Sequence, residues 1–250
     1  MIRRFRPEAA DIATALALLT RIPVRAGFAR SAEAAWAFPL AGLAVGLVAG
    51  AVATIAGWLG LGAGLIAGFA LAALVIATGA MHEDGLADCA DGFWGGFERA
   101  RRLEIMRDSR IGAYGVIALI LALLLRFTAL STLAHDDLIV TAMIASAMLS
   151  RAALPYLMVL MPPARKDGLS VTTGRPPRDA ASLGAVVAFL LSWLVVGFVP
   201  TVVAASAIVG TAFLASRIAT AKIGGQTGDV LGATQLLSEI AALTVFATLA

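Results

Sequence analysis

Charged residues are scarce in this chain, and their scarcity excludes an ordinary soluble domain. Only 14% of the 250 residues are charged, 60% are hydrophobic, and the mean hydropathy is +0.91. Soluble domains are about half apolar and about a quarter charged. The composition therefore predicts a polytopic membrane protein.

Three further absences narrow the class of protein. The single cysteine, Cys89, excludes an internal disulfide, and we expect it to be a small buried residue. The lysines and arginines are scattered over loops, so there is no basic domain to bind nucleic acid. The basic start M-I-R-R-F-R-P-E resembles a signal peptide, but the short apolar stretch after it meets Arg21 and Pro23 without an A-x-A-like cleavage site. We expect a retained interfacial or re-entrant helix there.

Long apolar runs occupy most of the remaining sequence. A membrane-crossing helix needs about 20 mostly apolar residues. Seven segments qualify, with Pro200 alone separating the fifth from the sixth: 36–58, 61–81, 113–134, 138–160, 180–199, 201–219 and 230–249. The expected fold is all-α, with one membrane-embedded domain over residues 1–250. A weak internal repeat could relate residues 36–134 to residues 180–250.

Lysine and arginine are distributed unevenly between the loops. They occur in the N-terminal segment and after the second, fourth and sixth spans, whereas the short loops after the first, third and fifth spans contain none. Because cytoplasmic loops carry the excess of positive charge, the pattern predicts a cytoplasmic N-terminus and cytoplasmic polar loops. Arg126, Arg151 and Glu239 fall inside spans, where unpaired charge is costly. We expect Arg151 to pair with Glu239 or to point into a phosphate-holding cavity.

Carboxylates concentrate in the segment H-E-D-G-L-A-D-C-A-D-G, which contains Glu83, Asp84, Asp88 and Asp91. The last three are spaced i, i+4, i+7, so in a helix they share an arc of roughly 60°. Their mutual repulsion would be relieved by a divalent cation, and carboxylates favour a hard ion, Mg²⁺ or Mn²⁺. A solvated helix face is the alternative. His82 is a candidate base or ligand, although a lone histidine is more often structural.

Phosphate-binding chemistry is suggested by three polar segments. In I-M-R-D-S-R-I-G the candidates are Arg107, Asp108, Ser109 and Arg110, because guanidinium groups bind phosphate oxygens in pairs. A second segment, A-R-K-D-G-L-S-V-T-T-G-R-P, contains Lys166. In the third, G-G-Q-T-G-D, backbone N–H groups could hold an anion and Asp229 could complete the metal site. Together with a divalent ion, these phosphate-binding groups are typical of a phosphoryl-transfer site. Alternatively, the arginines and Lys166 are only the usual positive charge of cytoplasmic loops, and the glycines only mark turns.

Four motifs occur together and in order: L-L-T-R-I-P-V, H-E-D-G-L-A-D-C-A-D-G, I-M-R-D-S-R-I-G-A-Y-G and G-G-Q-T-G-D-V-L-G-A. Together they resemble the cobalamin synthase family, the adenosylcobinamide-GDP ribazoletransferases. The likeness runs from Leu18 to about Glu239. Arg107 stands where lysine is expected as often as arginine, which keeps the charge.

The resemblance implies a Mg²⁺-dependent enzyme of the bacterial inner membrane with its active site facing the cytoplasm. It would join adenosylcobinamide-GDP to α-ribazole or its 5′-phosphate, release GMP and form adenosylcobalamin or its 5′-phosphate. A homo-oligomer, or a complex with other cobalamin-assembly enzymes, stays open.

On the same resemblance, Asp84, Asp88 and Asp91 would hold the ion, and Glu83 or Asp229 would contribute to a second one. One free carboxylate would take the proton of the attacking hydroxyl, with Asp84 and Asp91 as equal candidates. The candidate substrate and phosphate contacts are Arg21, Arg107, Asp108, Ser109, Arg110, Arg151, Lys166, Thr227 and Glu239.

Two other function classes remain as alternatives. CDP-alcohol phosphotransferases begin with D-G-x-x-A-R, and the D-G-L-A-D found here lacks that arginine. Membrane prenyltransferases also place two acidic segments around a diphosphate. A transporter or channel would suit the intramembrane charges, but it is expected to have polar groups on both sides of the bilayer, whereas these polar loops gather on one side.

Overall fold

The computed structural model describes residues 5–250. Helices dominate this part of the chain, which confirms the all-α prediction. They are α1 (Ala9–Leu19), α2 (Phe38–Trp58), α3 (Ala63–Thr78), α4 (Met81–Gly95), α5 (Arg99–Ile105), α6 (Ala113–His135), α7 (Ile139–Ala152), α8 (Leu154–Leu160), α9 (Leu169–Thr173), α10 (Arg178–Val196), α11 (Phe198–Ile223) and α12 (Gly228–Leu249). A short 3-10 turn, Glu33–Ala37, precedes α2.

The apolar helices confirm a polytopic membrane protein. Within residues 5–250, six continuous helical segments are long and apolar enough to cross a bilayer, and α3 with α4 raises the number to seven. The axes of α3 and α4 differ by 85°. We take α3 as the apolar, membrane-crossing part of this pair, and α4, which carries four carboxylates, as lying outside it. The cytoplasmic N-terminus stays a prediction, as does the internal repeat; Arg3 and Arg4, used for the former, lie outside the described residues.

The break between the fifth and sixth spans differs from the sequence-based expectation. It lies at Gly197, whose φ of +87° belongs to a region that favours glycine, and not at Pro200. Pro200 instead occupies the first turn of α11, where its missing N–H leaves no intrahelical bond unmade. The helix then continues to Ile223, past the predicted end at residue 219.

The predicted N-terminal helix is present as α1, and the buried Asp11 holds it against the residues that precede α2. Asp11 is 1% exposed. It accepts hydrogen bonds from Trp36 Nε1 at 2.9 Å and Arg30 Nε at 3.1 Å. Burial works against the charged form of Asp11, but the bonds from Arg30 and Trp36 outweigh it and hold the pKa of this carboxyl below its usual value. The helix is thereby fixed to the turn that leads into α2.

The position of α4 follows from a sharp bend and a close helix contact. Gly79 and Ala80 have φ of +65° and +57°, and these two left-handed residues turn the chain between α3 and α4. Left-handed geometry is uncommon for alanine and signals local strain. After the bend, α4 packs directly on α12: a Cβ at Gly85 would lie 2.7 Å from the Asp229 carbonyl oxygen. The bend therefore brings the acidic helix to the first turn of α12.

Candidate active site

Acidic residues of two helices lie at this contact. Asp84 and Asp88 flank Gly85 on α4, and Asp229 is the residue of α12 against which Gly85 packs. Burial, together with the charges of Asp84, Asp229 and Asp91, raises the pKa of Asp88 to about 7. Like charges from α4 and α12 therefore act on one another, as the sequence motif around Asp229 had suggested.

Asp91 has a different set of partners. It is 9% exposed, and its two carboxylate oxygens accept hydrogen bonds from the N–H groups of Gly112 at 2.7 Å and Gly115 at 2.9 Å. These groups belong to the start of α6, where the first N–H groups lack intrahelical acceptors. An anion at a helix N-terminus is also favoured by the helix dipole. Asp91 thus fixes α6 to α4, a role that its place on the acidic arc did not suggest.

Arg165 supplies the positive charge next to the acidic groups. Its Nη2 lies 3.3 Å from Asp229 Oδ2, and its side chain is 16% exposed. Its Nη1 is shielded from solvent and has no hydrogen-bond partner among residues 5–250. The preceding segment is paired to the glycine-rich loop, since Gln226 N–H donates to Pro162 and Ala164 N–H donates to Gln226. The sequence pattern did not distinguish Arg165, and only its place in the polar loop indicated a role.

A cavity of about 470 Å³ opens beside Asp84 and Asp88. The predicted phosphate-binding segment lines the same cavity, through Arg107, Asp108, Ser109 and Arg110. Arg107 forms an ion pair with Asp167, and Arg110 lies 2.6 Å from Asp108. Hydrogen bonds from Arg110 lower the pKa of the exposed Asp108 to about 2. Two sequence motifs separated along the chain therefore face one space, and Lys166 is an exposed residue of the loop that carries Asp167.

The acidic groups suit a hard cation without forming a complete cage. Across residues 5–250, no three acidic, histidine or cysteine side chains converge closely enough to hold an ion alone. Mg²⁺ commonly takes only one or two protein carboxylates and completes its shell with water and substrate phosphates. The oxygen donors and the like-charge repulsion at Asp88 fit that manner of binding.

A buried ion network joins α4 to two of the membrane-crossing helices, α6 and α12. Arg126 donates to Glu83 Oε1 at 2.6 Å and to Glu239 Oε1 at 2.7 Å. The expected proximity of Arg151 and Glu239 is confirmed, with Nη1 and Oε2 3.8 Å apart. Gln235 Nε2 also donates to Glu239, at 2.9 Å. Glu83, a candidate metal ligand, and Glu239 and Arg151, candidate substrate contacts, are thus engaged here, and we leave them out of the proposed ion site.

The remaining candidates occupy other positions. His82 is 3% exposed and lines a small apolar cavity of about 60 Å³. It is about 200° around α4 from Asp84 and so faces away from it. Thr227 is fully buried, caps α12 by accepting from Val230 N–H, and donates to Asp229 Oδ2 at 3.1 Å. The Arg21 side chain lies against Gly79 at the bend.

Comparison with known proteins identifies close sequence relatives. The sequence profile described as cobalamin-5-phosphate synthase matches residues 11–247. A protein of Azorhizobium caulinodans is 48% identical over 247 residues, covering 94% of each chain, and one of Bradyrhizobium diazoefficiens is 45% identical over 242 residues, covering 95% of this chain and 93% of its own. A protein of Mesorhizobium japonicum is 46% identical over 239 residues, with 94% and 92% covered. All three are named adenosylcobinamide-GDP ribazoletransferase. No solved structure matches.

Proposed function

The chain belongs to the cobalamin-5-phosphate synthase family, and we propose that it joins adenosylcobinamide-GDP to α-ribazole, or to α-ribazole 5′-phosphate, with release of GMP. It is a multi-pass membrane transferase of cobalamin synthesis. In the proposed reaction a ribose hydroxyl attacks the phosphorus attached to the cobinamide arm, and GMP leaves.

One observation carries the proposal: Asp84 and Asp88 of α4 meet Asp229 of α12 beside Arg165. Phosphoryl transfer is catalysed mainly by positioning and by neutralising developing charge. A Mg²⁺ ion held by one or two of these carboxylates would supply Lewis-acid neutralisation of the diphosphate. The three aspartates come from helices packed backbone to backbone, so their spacing is fixed before substrate arrives.

Three cationic side chains would bind the phosphate oxygens: Arg165 beside Asp229, and Arg107 and Arg110 at the cavity. Arg165 has a buried Nη1 without a partner in residues 5–250, so an arriving phosphate oxygen would satisfy it. Arg107 and Arg110 line the cavity and would exchange their exposed aspartate partners for phosphate. Asp91 is committed to the start of α6, which leaves Asp84, exposed at the cavity, to take the hydroxyl proton.

The membrane setting is part of the proposal. The basic loops that contain Arg107 and Arg165 follow the second and fourth predicted spans, so the positive-inside rule assigns the site to the cytoplasmic face of the bacterial inner membrane. The nucleotide and the released GMP would then exchange with the cytosol.

The test is GMP release from adenosylcobinamide-GDP and α-ribazole by the purified full chain, with Mg²⁺ titrated. Asp88→Asn should lower kcat at least about a hundredfold, as expected for loss of a transition-state charge contact. Asp137→Asn is the matched control, because Asp137 lies in the loop between α6 and α7 with φ of +59°, which asparagine tolerates. Full activity of the Asp88 variant, or equal loss in both variants, would contradict the assigned site.

A further inference from the structure

The end of α4 and the turn that follows it present two large aromatic side chains to the outside of the protein. Phe97 is 93% exposed, the largest exposed fraction among the large hydrophobic side chains of residues 5–250, and Trp94 is 53% exposed. The proposed reaction described above uses neither residue. Both follow directly on the acidic part of α4, so whatever covers them also contacts the helix that carries Asp84 and Asp88.

The arginines of α5 hold this turn in place. Arg102 Nε donates to the Gly96 carbonyl at 2.9 Å, and its Nη1 donates to the Lys222 carbonyl, also at 2.9 Å. Arg99 Nε donates to the Ile223 carbonyl at 2.7 Å. Lys222 and Ile223 are the last residues of α11, where carbonyl groups lack intrahelical partners. The two aromatic side chains are therefore fixed at the end of a membrane-crossing helix.

The outer face of α11 leads directly to this turn. Phe213, Leu214 and Ile218 are exposed on it, which gives α11 an apolar outer surface. Lys222 follows Ile218 by four residues and so continues the same face. Its Nζ lies 5.1 Å from the centre of the Trp94 ring, within the range of a cation–π contact. Trp94 thus lies where the lipid-facing surface of α11 ends.

The length of α11 agrees with an interfacial position for this turn. The helix begins at Phe198, whose ring packs against the exposed Trp193 with centres 5.5 Å apart. From Phe198 to Lys222 the helix rises about 36 Å, at 1.5 Å per residue. This exceeds the hydrocarbon core of about 30 Å and stays within the 40–45 Å of the whole bilayer. The aromatic residues at the two ends of α11 would then lie in the two interfacial layers, where tryptophan is enriched in membrane proteins.

We propose that residues 94–97, together with Lys222, form a phospholipid-binding contact. Lipid is the partner because the turn continues the lipid-facing surface of α11. Phe97 enters the boundary between headgroups and acyl chains, and Trp94 lies at the headgroup level. Lys222 attracts the phosphate of an anionic phospholipid, as cations next to the membrane do. The contact holds the end of α4 at the membrane surface, and it does not depend on the reaction that the acidic site catalyses.

The accessibility of a spin label tests the position of Phe97. The single cysteine, Cys89, is buried, so Phe97→Cys in a Cys89→Ala background carries one label. In nanodiscs of phosphatidylcholine and phosphatidylglycerol, the ratio of collisions with lipid-soluble O₂ to those with a water-soluble nickel chelate should be several times higher there than for Lys166→Cys, in an exposed polar loop. Equal ratios would overturn the proposal. Low access of both reagents at position 97 would also overturn it, because a second protein copy would then cover the turn.

Quenching of tryptophan fluorescence by brominated lipids tests the headgroup preference. The chain has four tryptophans, so the signal of Trp94 is the difference between the wild-type chain and Trp94→Phe. At equal mole fractions in phosphatidylcholine nanodiscs, brominated phosphatidylglycerol should quench Trp94 about two- to fivefold more than brominated phosphatidylcholine, the effect of one cation near the surface. Lys222→Gln should remove this preference. Arg101→Gln should keep it, since Arg101 already pairs with Glu104 at 2.8 Å. Equal quenching of wild-type Trp94 by both lipids, or by neither, would refute the assigned contact.

Discussion

Removal of Arg126 should destabilise the membrane domain strongly, because the arginine pairs with two buried carboxylates, Glu83 and Glu239. In the Arg126→Met variant, Glu83 loses its 2.6 Å partner and Glu239 loses its 2.7 Å partner. Glu239 keeps Arg151 at 3.8 Å and Gln235 at 2.9 Å, whereas Glu83 is left without a charged partner in the described residues. The main cost is therefore a buried glutamate left without its charged partner.

The size of the effect follows from burial and geometry. The side chains of Arg126 and Glu239 are each 3% exposed, so water cannot replace the lost bonds. Breaking a buried ion pair from one side costs about 3–5 kcal/mol, because the remaining charge is uncompensated. For a chain of this size, each kcal/mol corresponds to roughly 2–4 °C in Tm, so we expect a decrease of about 6–20 °C.

Thermal unfolding of the purified chain in detergent measures this decrease. Glu83→Gln in the Arg126→Met background removes the stranded charge, so the double variant should be more stable than the sum of the two single losses predicts. Arg101→Met is the control, since Arg101 and Glu104 form an exposed pair, with side chains 61% and 69% exposed. Such pairs contribute little, and no shift beyond about 2 °C is expected. A Tm for Arg126→Met within that range, or strict additivity in the double variant, would refute the reasoning.

Three other predictions follow from close contacts. Gly85→Ala should lower GMP release at least about tenfold, because a Cβ would lie 2.7 Å from the Asp229 carbonyl and force α4 and α12 apart, whereas Gly57→Ala, whose Cβ would meet only Ile66 Cδ1 at 3.9 Å, should keep activity. Asp91→Asn should lower the free energy of unfolding by about 1–2 kcal/mol, measured by the shift in Tm, because the neutral amide cannot accept from the start of α6 with both terminal atoms; an unchanged Tm would contradict this capping role. The folded-state pKa of Asp11 is lowered, so its stabilising contribution is present above the unfolded pKa of about 3.9 and is lost as pH falls through the folded value. Tm measured against pH should therefore fall less steeply below pH 4 in Asp11→Asn than in the wild-type chain, and identical acid limbs would contradict it.

The sequence predicted those parts of the molecule that depend on local patterns. Apolar run length located the helices of residues 5–250 that are long and apolar enough to cross a membrane, and the i, i+4, i+7 spacing correctly placed Asp84, Asp88 and Asp91 on one helix. The end of α10 was missed because both Gly197 and Pro200 are helix breakers in isolation, and only the φ of +87° shows which of them ends the helix.

Contacts between segments that are distant along the chain could mostly not be predicted from local sequence patterns. Neither the spacing of the acidic residues nor their charge showed that Asp91 would accept hydrogen bonds from the start of α6. Arg165 could not be distinguished from the neighbouring lysine, because only the pairing of residues 162–164 with Gln226 brings it to Asp229. The proximity of Arg151 and Glu239 could be predicted because depth in a membrane can be counted along each helix. The pairing of Arg126 with Glu83 was not predicted, because α4 turns 85° from α3.

The four carboxylates of α4 have different contacts, which explains why one short helix contains so many of them. At about 100° per residue, Glu83 faces a different neighbour from Asp84, and it is used to pair with Arg126. Asp91 is used to hold the start of α6, which is the helix that carries Arg126. Two of the four acids therefore fix α4 against α6, and the contact of Gly85 with α12 fixes it on the other side. Within residues 5–250, Asp84 and Asp88 have no such structural partner. Because both neighbours of α4 hold it in place, Asp84 and Asp88 cannot move away from Asp229 to relieve their repulsion. A cation, alone or bound to phosphate, would relieve it and would therefore be held tightly.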